Sequence, residues 1–206
     1  MTISDQEFQQ KTKEPYGEVR PKIENGDLLL CSGMSFISEA IKTVTKSHLS
    51  HVAFIVIADD IKRLMIMESV ESQGVRTVPL SHYLNNYRSP GVAYNGRLYV
   101  ARHKVLNAKV NDNSDLLVDL ATQAVDRFGY AYDRDDIFRI AARISSRLFG
   151  LPPGADLSTD HEYICSEFVD VIFQSLDVAI ARTRDDFIAP ADFALDPNVT
   201  LVGRIL

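Results

Sequence analysis

The chain has 206 residues, 46% of them hydrophobic, and a formal net charge of -6. That length and composition suit one domain with its own core, and the acidic balance argues against a nucleic-acid partner, which would select a basic stripe. No stretch approaches the ~18 apolar residues of a membrane span. The two cysteines, Cys31 and Cys165, fall short of the four ligands of a structural zinc site, and a domain of this size needs no disulfide.

Residues 1–20 are polar and charged and read as a flexible or helical lead-in. They lack the apolar core of a secretory leader, so the chain is expected to be cytoplasmic by default, or exported by a route that reads no such leader. Residues 21–206 read as a single domain. Asn25-Gly26-Asp27 is a turn signal before the buried strand Leu28-Leu29-Leu30-Cys31, which Gly33 breaks. Ile37, Ala40, Ile41 and Val44 then have helical spacing. β-branched or alternating runs follow at His51–Ala58, Arg63–Val70 and residues 74–80, 97–102 and 199–206. The connections among the first of these are too short for parallel crossovers, so they predict one antiparallel sheet.

The second half reads as mostly helical. Leu117, Leu120, Ala121, Ala124 and Phe128 mark one helix. Ile137, Ile140, Ala141, Ile144 and Leu148 mark another, at about residues 135–148, with Arg139, Arg143 and Arg147 along its opposite face. A basic amphipathic helix of that kind is either a docked surface helix or a means of lying on an anionic membrane. A third helix starts at Cys165, and residues 185–192, with Pro190, read as a loop.

Ile164, Phe168, Val171, Ile172 and Leu176 share a helical face, which puts Cys165 in the first turn. A helix N-terminus stabilises a thiolate, and its free N–H groups can hold an oxyanion. The plain alternative is a buried packing cysteine. A nucleophilic thiol needs a base, usually a histidine distant in sequence. His51 opens one strand and Glu68 closes the next, so a hairpin brings both to the same sheet end. Glu68 can then fix the imidazole tautomer while the other ring nitrogen faces the thiol. His48, His82, His103 and His161 are the alternative bases. Cys31 ends an apolar strand and reads as core.

Several blocks together resemble a known family. Gly26-Asp27-Leu28-Leu29 with Ser50-His51-Val52-Ala53-Phe54-Ile55 is similar to its opening block, and Glu68-Ser69 with Gly74-Val75 and Pro79-Leu80 to its second. Ile164-Cys165-Ser166-Glu167-Phe168-Val169 resembles the cysteine signature, and Ala189-Pro190-Ala191-Asp192-Phe193 the tail. This is the circularly permuted, YiiX/YebB-like branch of the NlpC-type papain-like hydrolases, to which lecithin retinol acyltransferase is related. The resemblance runs from Gly26 to the C-terminus. It implies a papain-like α+β fold, with the nucleophile helix packed against an antiparallel sheet. It also implies a Cys165 nucleophile, a His51 base and a Glu68 orienting group. Ala131-Tyr132-Asp133 departs from the family's pattern by alanine for proline. Tyr132 is the candidate for the oxyanion, with Tyr130 and Tyr163 as competitors, and Ser166 is a further substrate-binding candidate.

The expected function is a thiol amidase or peptidase acting through an acyl-enzyme on a peptide or acyl-amide, cell-wall peptide at the family level, with no metal or organic cofactor. Lipid acyl transfer or deacylation is the second reading, and a binding module without turnover the third. Oligomeric state is not legible.

Overall fold

The computed structural model describes residues 4–71, 73–131, 164–183 and 187–206. Tyr132, His161, Tyr163 and the arginine-lined stretch at residues 135–148 lie outside the described residues. The strands are β1 (Leu28–Gly33), β2 (His51–Ala58), β3 (Arg63–Val70), β4 (Gly74–Pro79), β5 (Gly96–His103) and β6 (Val199–Arg204). They form one six-stranded sheet in the order β4-β3-β2-β1-β5-β6, with every neighbouring pair antiparallel.

The described helices, numbered in order, are α1 (Asp5–Gln10), α2 (Tyr16–Val19), α3 (Phe36–Thr45), α4 (Leu80–Asn85), α5 (Lys104–Asp112), α6 (Ser114–Val125), α7 (Cys165–Gln174) and α8 (Pro190–Leu195).

Strand alternation sorts the core into two layers. Leu28, Leu30, Val52 and Phe54 face α7, where Phe168, Val169, Ile172 and Phe173 are buried. The Phe54 and Phe168 rings stack with centroids 6.1 Å apart. Leu29, Cys31, Ala53 and Ile55 face the other way, against Leu80 and Tyr83 of α4 and Val19 of α2. Burying a side chain of this size contributes about 1.5–3 kcal/mol, so the α7 stripe alone anchors the cysteine helix firmly to the sheet.

Of the two readings of the lead-in, the helical one holds for α1: its N-cap Ser4 makes a reciprocal capping box with Glu7, and Phe8 is fully buried in the α7-side core. Two other segments differ from what their sequences suggest. Pro190 does not sit in a loop but opens α8. Its fixed φ suits the first helical position, and Asp192 accepts the Ala189 N–H at 2.7 Å. Helix α5 was not anticipated, because only Leu106 and Val110 of its residues are buried, too few to print a periodic pattern.

Candidate active site

His51, Glu68 and Cys165 converge at one end of β2 and β3. The β2–β3 register pairs Phe54 with Met67. One further step sets Ala53 opposite Glu68, so Glu68 and His51 are diagonal neighbours on the same face. The Glu68 Oε2 lies 2.9 Å from His51 Nε2. Cys165 opens α7 close enough for its side chain to act on the His51 imidazole. With Nε2 on the carboxylate, Nδ1 is the nitrogen left for the thiol.

The electrostatics of the three groups are interlocked. Burial alone would depress the His51 imidazole, but the charge and hydrogen bond of Cys165, and then those of Glu68, outweigh it and push it up to about 10. Burial would likewise raise the Glu68 carboxyl. Hydrogen bonds from His51 and Tyr83 and the charges of His51 and Arg76 instead hold it below the ordinary range.

Glu68 is fully buried, so those partners decide its state. Arg76 reaches Oε1 through Nε at 2.9 Å and through a terminal nitrogen at 2.7 Å. The Tyr83 hydroxyl donates to Oε2. Neither residue was singled out by sequence. Arg76 had a signal: Glu68 and Arg76 are direct cross-strand partners on β3 and β4, an opposite-charge pair of the kind that stabilises sheets. Tyr83 reaches the site only because α4 folds back over the sheet, and nothing local announces that.

Helix α7 begins without a side-chain cap on its first turn, since Ile164 has no oxygen to offer. Glu167 accepts the Ile164 N–H at 3.2 Å, and the N–H groups of the first turn keep no intrahelical partner. Ser166 is fully buried, and its hydroxyl donates to the Ile188 carbonyl at 2.8 Å. The Ser166 hydroxyl is therefore committed to the fold and is not free for a substrate.

The other described histidines have separate placements. His48 Nδ1 pairs with Asp5 at 2.7 Å. His103 Nδ1 accepts the Leu106 N–H at 3.2 Å and so caps α5. His82 packs edge-on against Tyr83. The Tyr130 backbone carbonyl accepts the Val75 N–H at 2.9 Å. Cys31 is the cross-strand partner of His51, but burial, then the charges of Glu68 and Cys165, push its thiol well above the usual range. Alkylation should therefore separate the two cysteines. Iodoacetamide at neutral pH is expected to modify Cys165 and leave Cys31 intact, as read by peptide mass spectrometry. Equal labelling of both would remove the distinction.

A cleft of about 190 Å³ opens beside His51. Its described walls are the start of α3, the β3–β4 turn and the tyrosines Tyr83, Tyr87 and Tyr94. Ile41 and Val70 are the only aliphatic residues among those described in the lining.

A cysteine at a helix start, a histidine and a carboxylate on an antiparallel sheet define a papain-like site. A family model described as permuted papain-like amidase enzyme, YaeF/YiiX, C92 family matches residues 22–202. The chain belongs to that family of permuted papain-like amidases. Among solved structures, the metalloprotein yiiX from Escherichia coli O157:H7 is similar, with a TM-score of 0.60 and 18% identity over 88% of this chain and 97% of that one. At that identity the likeness is one of fold. No match was found among curated proteins.

Proposed function

We propose that this chain is a cysteine hydrolase that cleaves an amide through a thioester on Cys165. The observation that carries the reading is His51 held between Cys165 and a buried, ionised Glu68. Cys165 Sγ attacks the carbonyl carbon, and the resulting oxyanion is met by first-turn N–H groups of α7. The C–N bond breaks as His51 gives its proton to the leaving amine. His51 then takes a proton from water, whose oxygen attacks the thioester carbonyl and expels Sγ. Tyr132 remains the candidate oxyanion side chain from the family resemblance. Glu68 orients His51, while Arg76 and Tyr83 keep Glu68 ionised and in place.

A cleft wall with so few aliphatic residues favours a peptide-like amide over a long acyl chain, so lipid transfer or deacylation ranks behind amide hydrolysis. The description of yiiX as a metalloprotein does not carry over to Glu68 here. Its two oxygens are enclosed by His51, Tyr83 and the Arg76 guanidinium, and a metal ion would meet that guanidinium. Among the described residues, no group of at least three His, Cys, Asp or Glu side chains could hold a metal ion.

The direct test is turnover of a peptide-amide mixture, with an acid quench to trap the acyl group. A mass increment on Cys165 matching the acyl half of a consumed amide is expected. Turnover without that adduct, and unaffected by loss of Cys165, would defeat the mechanism. The pH profile supplies a second check. Because the His51 value is raised to about 10, the protonated imidazole persists below that value and is lost as pH rises through it. Activity should fall on the alkaline side near there. In Glu68→Gln one of the charges that raises His51 is gone, so the alkaline limb should move to lower pH. An unmoved limb would show that Glu68 does not act through His51.

A further inference from the structure

The tyrosine wall of the cleft carries a guanidinium that makes no hydrogen bond or ion pair with the described residues. Arg88 follows Tyr87 in the loop after α4 and lines the cleft that contains His51. Its φ is 63°, a left-handed conformation that is strained for a non-glycine residue. The surrounding loop holds it there. The Tyr87 N–H donates to the Val92 carbonyl at 2.7 Å, and the Tyr94 N–H to the Tyr83 carbonyl at 2.8 Å. The Tyr87 ring packs against Tyr83 at 5.2 Å and Tyr94 at 4.8 Å between centroids. Arg88 is exposed, and its guanidinium carbon lies 5.6 Å from the centroid of the Tyr87 ring, a cation–π contact that draws the charge toward the aromatic wall.

Every other described arginine donates a hydrogen bond through its guanidinium. Arg76, Arg102 and Arg182 reach carboxylates. Arg20, Arg63, Arg97, Arg127 and Arg204 reach carbonyl oxygens. Arg88 has neither kind of partner among the described residues. Neither Glu71, the acidic residue of the described lining, nor Glu68 serves it. Glu68 is enclosed by His51, Tyr83 and Arg76, and Glu71 makes an interaction of its own. A guanidinium presents five donors in a planar fork suited to an oxyanion, and one unpartnered guanidinium balances one negative charge.

We infer that Arg88 receives a carboxylate of the substrate, so that the amide cleaved at Cys165 belongs to an acidic, peptide-like molecule. The inference rests on the amidase reading for its substrate class. The receptor itself rests only on the geometry of the cleft. A carboxylate docked there would lie in the same cleft as His51 and position the substrate beside the imidazole.

Alkylation of Cys165 tests the receptor without requiring turnover. The probes are bromoacetyl amino acids of increasing length, from glycine to 6-aminohexanoate, each compared with its carboxamide. In each pair the reach is equal and only the charge differs. At least one carboxylate probe is expected to alkylate Cys165 about tenfold faster than its carboxamide. That advantage should be lost in Arg88→Gln and partly kept in Arg88→Lys, with thermal melting confirming that both variants fold. No advantage at any length, or an advantage that survives Arg88→Gln, overturns the proposal. Stronger protection of Cys165 by inorganic phosphate than by acetate would also overturn it, because the receptor would then be one for phosphate. If the Arg88-dependent advantage holds while no peptide amide is cleaved, the receptor stands and the amidase reading fails. If amides are cleaved without it, the reverse is true.

Discussion

Cys165→Ala is expected to abolish amide hydrolysis and leave the protein folded. Removing a nucleophile removes the covalent route altogether, and losses on the order of a millionfold in kcat are typical of such variants. The structural price is small. Helix α7 is held by Phe168, Val169, Ile172 and Phe173, all of them buried, and the substitution deletes one sulfur atom at the helix start. A loss of about 1 kcal/mol in stability is the scale for such a change. The same variant reports on the ion pair. The Cys165 charge and hydrogen bond are the largest of the influences that raise His51, so the His51 midpoint, followed by NMR, should drop well below its wild-type position. Persistent turnover in the purified variant would remove Cys165 from the chemistry. A variant that melts far earlier would instead mark Cys165 as a packing residue.

How much of this was legible in the sequence depends on the range of the interaction. The strands follow from alternation and β-branched runs, because side chains on a strand must sort to two faces. His51 and Glu68 could be placed together because a hairpin fixes which strand ends meet. The Cys165 helix followed from its apolar stripe. Arg76 was one counting step beyond that: it lies directly across from Glu68, but the count depends on how β3 connects to β4. Tyr83 and Arg88 were out of reach, since their positions depend on how α4 and its following loop pack over the sheet. The docking of Phe8, and of Asp5 against His48 and Ser47, was hidden for the same reason. A polar N-terminal segment shows its one buried anchor only when the opposite surface is known. Pro190 was misread because a proline interrupts a helix yet also starts one.

The second large effect is expected at Arg76. Arg76→Met leaves the Glu68 carboxylate fully buried with only neutral donors and a histidine about it. Breaking one side of a buried pair costs roughly 3–5 kcal/mol, or a melting temperature lower by about 10 °C for a chain of this size. The pH dependence has a definite sign. Glu68 is held below the ordinary carboxylate range, so its stabilising contribution is present above that range and is lost as pH falls through the folded value. Taking away the Arg76 charge raises the folded value, and acid unfolding should therefore begin at a higher pH. Adding Glu68→Gln to Arg76→Met removes the stranded charge and should restore most of the stability, because an ion pair of this kind contributes little net once both charges are gone. Activity should not return, since His51 then has no carboxylate to hold its protonated form and its orientation. A double-mutant cycle with coupling near zero, or an Arg76→Met protein with wild-type melting and turnover, would show that Glu68 keeps its charge and place without Arg76. Recovery of stability without recovery of turnover is the outcome that assigns the Arg76–Glu68 pair to the geometry of catalysis rather than to the stability of the fold.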